Sequence, residues 1–309
     1  GLDLLAGGPR RLAHGVFSTL TKREAALPYW PSLPEDVAAR WGEGAPSIAA
    51  GLAEPPPLDL TLRDPAQTAD WQVQLSADSL MPGHLRLPRG ANVETLPGFA
   101  EGAWWVQDLA AALPARLLGA GEGRHVLDLC AAPGGKTLQL AAQDWQVTAL
   151  DISKRRLDLL KANLKRTGLK ANTVRADALT WEPRHQFDAI LLDAPCSATG
   201  TARRHPDVLH RIGARQIDEM ADLQSALLDR ARGWLKPGGT LVYATCSLER
   251  EEGEAQATGV PLPVAPITPE ELPAGLAPTG EGWLRTDPGM LAEHGGLDGF
   301  FVARWQTKG

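Results

Sequence analysis

"VLDLCAAPGGKT", residues 126–137, is an apolar run that breaks into a glycine-rich turn and then into a helical pattern. Strand, turn and helix in that order form a place where backbone N–H groups and a helix N-terminus meet an anionic or carboxylate ligand. Two ligand chemistries compete for it. A phosphate-binding P-loop needs Gly, four residues, then Gly-Lys-Ser/Thr; Gly135, Lys136 and Thr137 fit, but the first Gly falls on Cys130. The run ending at Asp193 would even supply a P-loop NTPase with its magnesium-binding acid. The rival is the nucleotide site of a methyltransferase, whose turn closes around S-adenosyl-L-methionine. A bare turn with no ligand is the third reading, and two glycines and a lysine are a poor choice for mere packing.

The alternation continues outward from this turn. "HVLDLC" (125–130), "WQVTALD" (145–151), "NTVRAD" (172–177), "FDAILLD" (187–193) and "TLVYATC" (240–246) are short apolar or β-branched runs, each closed by turn or polar residues. Helical patterns lie between them: "SKRRLDLLKANLKRTG", stopped by Gly168, and "RQIDEMADLQSALLDRARGWLKPGG", stopped by Pro-Gly-Gly. The pattern predicts an α/β fold with a parallel, doubly wound sheet.

Asp151, Asp177 and Asp193 end the second, third and fourth of these strands. One such Asp is commonly a turn-former or a helix cap. Three in succession line the crevice at the carboxyl ends of consecutive strands, where sheets of this kind bind ligands. Asp151 stands 17 residues past Gly134, close to where such folds place the acid that grips a ribose diol. A P-loop enzyme has no use for the first two acids. They favour an adenosine-containing cofactor.

Composition adds limits. A chain of 309 residues can hold two domains, and its net charge of -6 does not suggest a nucleic-acid partner. The average conceals an asymmetry: residues 152–215 carry 13 Lys/Arg against 6 Asp/Glu, whereas residues 251–299 carry 9 acids and only Arg285. The basic block permits a polyanionic partner without requiring one. No run approaches the ~18 apolar residues of a membrane span, and a reducing cytoplasm is the expected setting. Gly1 in place of an initiating Met is what a processed or truncated product would show.

Proline marks the divisions, with 12 of 25 in residues 1–99, 7 in residues 251–309 and only 6 between. "PEDVAARWGEGAPSIAAGLAE" reads as two short helices, and "PPPLDLTLR" and "GHLRLPRG" as strands, which together predict a small α+β accessory domain. Residues 1–26 read as a helical hairpin. The Pro-rich, acidic stretch 255–290 reads as a surface loop.

Three cysteines cannot form a disulfide framework, and none makes a C-x-x-C pair, so no metal site is expected. All three stand at the ligand-binding rim: Cys130, Cys196 and Cys246 follow the first, fourth and fifth strands. Packing as small hydrophobes is the default, and it suffices for Cys130. A thiol becomes a competent nucleophile when neighbouring positive charge lowers its pKa. Lys136, Arg203 and Arg204 are candidates for that charge. Either Cys196 or Cys246 could attack.

"DLCAAPGGKT", "DAPCSATG" and "YATCS" resemble the RNA cytosine-C5 methyltransferases of the Sun family, and "GFAEGAWWVQD", "RRHPD" and "GGLDGFFVARW" extend the likeness to its bacterial members acting on small-subunit ribosomal RNA. The resemblance covers residues 27–309 and is densest over 98–250. It implies a Rossmann-like class I methyltransferase sheet in residues 98–309, preceded by the accessory, RNA-binding domain in 27–97. It also implies that residues 1–26 are the end of a domain like the antitermination factor NusB. The cofactor implied is S-adenosyl-L-methionine, held by Cys130, Ala131, Ala132, Pro133, Gly134, Gly135 and Lys136. Asp151 then matches the ribose acid, Asp177 the residue beside the adenine, and Asp193 an acid between cofactor and cytosine. By the same match Cys246 is the nucleophile and Cys196 assists product release, with Lys136 and Asp193 beside them. The partner implied is 16S ribosomal RNA in a single-stranded or loop form, because a paired base would have to be unstacked. Arg203, Arg204, Arg211 and Arg215 are the expected phosphate contacts. A non-catalytic RNA-binding module on the same fold is the remaining alternative, and nothing in binding alone requires both cysteines.

Overall fold

The computed structural model describes residues 7–23 and 32–309. Helix α1 (Gly7–Lys22) is a single helix where a hairpin is expected, and its Leu12 and Phe17 are solvent-exposed. The boundary expected at residues 26 and 27 lies outside the described residues. The two short helices expected next are α2 (Glu35–Trp41) and α3 (Ala45–Ala53), separated by Gly42 at φ 56°.

A three-stranded antiparallel sheet follows, built from β1 (Leu58–Leu62), β2 (His84–Leu87) and β3 (Trp104–Val106) in the order β2-β1-β3. Helix α4 (Thr68–Leu75), which the sequence reading did not contain, connects β1 to β2. Leu60, Leu62, Leu85, Leu87 and Trp104 form the core of this sheet. The third strand lies beyond residue 97, so the small sheet extends past the expected domain boundary.

The large sheet has seven strands. It is built from β4 (His125–Leu129), β5 (Gln146–Asp151), β6 (Asn172–Arg175), β7 (Phe187–Asp193), β8 (Leu235–Thr245), β9 (Leu284–Thr286) and β10 (Phe300–Gln306). Their spatial order is β6-β5-β4-β7-β8-β10-β9. The first five are parallel, and β10 and β9 add antiparallel strands at one edge. Helices α5 (Leu109–Arg116), α6 (Gly135–Ala142), α7 (Lys154–Thr167), α8 (Ala214–Gly233) and α9 (Glu254–Gly259) accompany these strands. Both faces of the sheet are covered, and the alternation along each strand shows it. Val126 packs in one core with Leu138, Leu157 and Leu160, while Leu127 and Leu129 pack in the other with Leu227, Leu228 and Phe301. Strands buried on both faces read as continuous apolar runs, as "FDAILLD" does.

Local chemistry sets the ends of these elements. Ser153 caps α7 by accepting from the Arg156 N–H at 3.3 Å, and Gly168 at φ 69° closes it. Its buried stripe is Leu157, Leu160 and Leu164. Two expectations need correction. Helix α8 ends at Gly233, and Pro237-Gly238-Gly239 lies inside β8, at a register shift opposite Phe187 and Ala189 with Gly238 at φ 73°. A bulge near a strand's start tolerates Pro and Gly. Nor is 255–290 a surface loop: Ile267, Leu272, Leu276 and Leu284 are buried in the core. Glu271 accepts from Arg304 Nη1 and Nη2 at 2.6 and 2.9 Å.

The order in which strands are added reverses at β4, which lies between β5 and β7. The crevice outside the carboxyl ends of those strands is therefore the place to look for chemistry.

Candidate active site

The turn after β4 is held from below. Cys130 adopts φ 61°, the left-handed conformation usual for glycine, and stands where a P-loop would have one. The Ala131 N–H donates to Leu150 O at 3.0 Å, and the Ala132 N–H to Asp151 Oδ2 at 3.1 Å. Ala131 and Ala132 are buried and Pro133 is exposed. Gly134 has φ 111°, and a Cβ there would collide with Leu160 of α7; a Cβ at Gly135 would crowd the Gln107 side chain at 3.3 Å. Close approach of Leu160 therefore accounts for Gly134, while Gln107 only narrows the space beside Gly135.

Asp151 is buried, and its Oδ1 accepts from the Ser153 N–H at 2.8 Å. Arg156 donates to the Ala132 carbonyl and approaches Asp151 Oδ2 at 3.8 Å. Asp177 is exposed and caps a turn by accepting from the Leu179 N–H at 2.9 Å. Between them lies a cleft of about 240 Å³ lined by Cys130, Asp151, Ile152, Ala178, Pro195 and Leu223 among others. A larger cavity, about 350 Å³, opens at the opposite end of the sheet beside Asn172, His185 and Phe187, away from all of the expected site residues.

Strands β7 and β8 are parallel neighbours with Asp193 paired to Ala244, so the turns that follow them emerge side by side. This brings Cys196 and Cys246, fifty residues apart, to an Sγ···Sγ distance of 3.5 Å. Lys136, reaching across from α6, bonds Asp193 Oδ2 through Nζ at 2.8 Å and sits 5.3 Å from the Phe300 ring centroid. The lysine thus points to Asp193, leaving the P-loop reading without its phosphate ligand.

The electrostatics separate the thiols. The hydrogen bond to Cys246, followed by burial, holds the Cys196 thiol well above its usual range. Either sulfur can donate across this contact, and the upward push keeps the proton on Cys196. Burial would lower the Lys136 ammonium, but Asp193 outweighs it, with Cys246 adding to the same effect, and the net direction is upward. Cys130 is pushed up to about 12 by burial first and then by Asp193 and Asp151. Its thiol is a packing group.

Arg203 and Arg204 are not where the expectation put them. Arg203 is buried and donates to the Gly295 carbonyl. Arg204 bonds Asp298 Oδ2 at 2.9 Å and Asp108 Oδ2 at 2.7 Å, and those acids overcome burial to raise its pKa. Both arginines are internal struts and do not face the thiols. Arg211 and Arg215 are exposed, in ion pairs one helical turn long with Asp207 and Glu219, each at 2.8 Å.

Two buried acids at the site were not singled out from the sequence. Asp128 is fully buried on β4 and accepts from Thr137 Oγ1 at 2.5 Å. Glu252, six residues beyond Cys246, is also fully buried and accepts from the serines that follow both cysteines. Its position in an acidic run suggests solvent, and only its contacts reveal its place.

Residues 115–306 match the family model described as 16S rRNA methyltransferase RsmB/F. Over 270 residues the chain is 43% identical to ribosomal RNA small subunit methyltransferase B of Salmonella arizonae, covering 82% of this chain and 60% of that protein. The chain thus spans about 60% of the length of the curated relatives it matches. A methyltransferase homolog protein from Pyrococcus horikoshii superposes with a TM-score of 0.73 at 26% identity, over 88% of this chain and 93% of its own. NSun6 from Pyrococcus horikoshii shares the fold at a TM-score of 0.77 and 20% identity, over 89% of this chain and 98% of that one.

Proposed function

The chain belongs to the 16S rRNA methyltransferase RsmB/F family, and from that membership we propose that it methylates C5 of a cytosine in 16S ribosomal RNA, using S-adenosyl-L-methionine and a covalent bond from Cys246 to cytosine C6. The observation that carries this reading is the thiol pair at 3.5 Å beside the Lys136–Asp193 ion pair.

The cleft suits the cofactor by its donor set. The first N–H groups of α6 have no partner within the helix and suit a carboxylate. Asp151 retains lone pairs for a ribose diol, Asp177 borders the same space, and Leu150, Ile152 and Ala178 give an apolar wall for a base. Residues 130–136, Asp151 and Asp177 would hold S-adenosyl-L-methionine, which supplies an electrophilic methyl group on a sulfonium.

Cytosine C5 is too weak a nucleophile to take a methyl group unaided. Addition of the Cys246 thiolate at C6 makes the ring an enamine, whose C5 can form the new carbon–carbon bond. The Lys136 ammonium steadies that thiolate beforehand. Asp193, held by Lys136 Nζ at 2.8 Å, would lie at the junction of cofactor and base. Loss of the C5 proton then lets the C6–S bond break and returns Cys246 as thiolate. Cys196 is suited to that last stage. With its own proton passed to water, the Cys196 thiolate, 3.5 Å from Cys246 Sγ, would take the C5 proton and become a thiol again as the C6–S bond breaks. Arg211 and Arg215 remain the proposed phosphate contacts, and the target base is single-stranded or in a loop.

The test is incubation with methyl-labelled S-adenosyl-L-methionine and transcribed 16S ribosomal RNA, followed by bisulfite mapping. One cytosine becomes 5-methylcytosine if the reading holds. No methylated cytosine, where a full-length relative methylates the same RNA, refutes it for this chain.

A further inference from the structure

We propose that Glu252 is the positioning residue that holds Cys196 and Cys246 in contact, acting through the serine that follows each of them. The inference rests on the cysteine chemistry proposed above. Glu252 Oε1 accepts from the Ser197 N–H at 2.8 Å and from Gln224 Nε2 at 3.1 Å. Its Oε2 accepts from both Ser197 Oγ and Ser247 Oγ. One carboxylate therefore grips the turn after β7 and the turn after β8, and the two serine hydroxyls are themselves 3.1 Å apart. The backbone completes the clamp. Glu252 O accepts from Tyr243 Oη at 2.7 Å and Thr245 Oγ1 at 3.2 Å, both on the strand that ends at the nucleophile.

A buried carboxylate is costly unless its oxygens are satisfied. All four donors to the carboxylate, three side chains and the Ser197 N–H, are neutral, and three of the four come from the residues adjoining the cysteines. For stability alone, apolar side chains replacing the carboxylate and its donors together would do as well. What the carboxylate adds is a fixed separation, because two oxygens with set lone-pair directions fix the two serines relative to each other. The charge acts in the same sense, adding to the push that keeps Cys196 protonated and able to donate to Cys246.

Gln at this position can preserve the clamp. Its carbonyl oxygen can take the Ser197 N–H and Gln224, while its amide turns toward the hydroxyls, which can rotate to accept. Ala cannot.

The first arm of the test needs neither RNA nor methyl donor. Phenylarsine oxide bridges two adjacent thiols: two As–S bonds form, and the arsenic-bound oxygen leaves as water with the two thiol protons. Capture by the wild-type chain, followed by intact mass, gives the reference rate, and Cys196→Ser abolishes it. Glu252→Ala is expected to slow capture at least tenfold, with S-adenosylhomocysteine affinity within twofold of wild type as the check on folding. Glu252→Gln is expected to restore capture to within threefold. In RNA methylation Glu252→Ala lowers kcat at least twentyfold, with KM for RNA and S-adenosyl-L-methionine within threefold. Wild-type capture by Glu252→Ala, or no recovery in Glu252→Gln, overturns the proposal. If Glu252→Ala fails to fold, Ser197→Ala combined with Ser247→Ala decides: capture slowed at least fivefold supports the clamp, and an unchanged rate overturns it. Should capture behave as expected while wild type methylates no cytosine, the proposed function fails and the clamp stands.

Discussion

Cys246 and Cys196 are chemically identical residues made different by their surroundings. Cys246 lies within the field of the Lys136 ammonium, while the contact with Cys246, followed by desolvation, pushes the Cys196 thiol up. The difference predicts different failures. Cys246→Ala removes the attacking atom and should lower methyl transfer by about 10³-fold or more, with no RNA adduct on a denaturing gel. Cys196→Ala leaves attack intact and slows release by about 10²–10⁴-fold, so a denaturation-resistant protein–RNA adduct should accumulate. Equal, adduct-free loss in both variants would refute the division. At this scale the sequence is half legible. Both thiols could be placed at strand ends, but their 3.5 Å contact follows from β7 and β8 being neighbours, which no local pattern states. Arg203 and Arg204 look like free cations in "RRHPD" because Asp108 and Asp298, which engage Arg204, lie 96 and 94 residues away. Glu252 fails for the same reason, since one of its donors is on a turn 55 residues upstream.

Elements show the same division between local and distant causes. The five parallel strands and helices α7 and α8 could be read directly, because burial on both faces writes continuous apolar runs in strands such as β4 and β7 and Gly168 marks a helix end. Strands β9 and β10 could not: they are antiparallel additions whose partners are set by the sheet edge, and β9 has only three residues inside a Pro-rich stretch. Asp128 ties strand β4 to helix α6 and makes a test at this scale. Burial, only partly offset by the Thr137 hydroxyl, pushes its carboxyl up to about 7 from an ordinary 3.8, and Oδ1 has no hydrogen-bond partner. A raised folded-state pKa means that the fold binds the proton more tightly than the unfolded chain does. That stability is fully present below the unfolded value and is lost as pH rises through about 7. Asp128→Asn keeps the bond to Thr137 and removes the titration. Between pH 5 and 8, urea unfolding should show wild type losing about 2–3 kcal/mol relative to Asp128→Asn. Parallel pH profiles for the two would refute the assignment.

On the scale of the whole molecule, the small sheet and the large one are bound by groups buried between them. Asp59 on β1 accepts from Arg86 Nε and Nη2, both at 2.7 Å, and from the Leu109 N–H of α5 at 3.0 Å. Arg86 also reaches His294 O at 2.9 Å, and Arg166 of α7 bonds Phe99 O at 2.7 Å and Trp104 O at 3.1 Å beside β3. Helix α2 is tied to the turn that carries the nucleophile. Glu249, three residues past Cys246 and almost fully buried, accepts from Arg40 Nε at 3.0 Å and Trp41 Nε1 at 3.2 Å. Buried links of this kind, unlike the wet contacts between independent domains, make separate melting costly. Residues 32–309 should therefore unfold in one transition, with near- and far-ultraviolet circular dichroism coincident in urea. The Arg40–Glu249 pair predicts an asymmetry within that transition. Arg40→Ala leaves a carboxylate whose side chain is 1% exposed with no countercharge and should cost about 3–5 kcal/mol. Glu249→Leu leaves a guanidinium that is 20% exposed and still paired with Asp36 at 3.0 Å, and it should cost less, about 1–2 kcal/mol. Two separated transitions would show that the small sheet folds as its own unit. Equal costs for the two variants would show that burial of Glu249 is not what makes this tether strong.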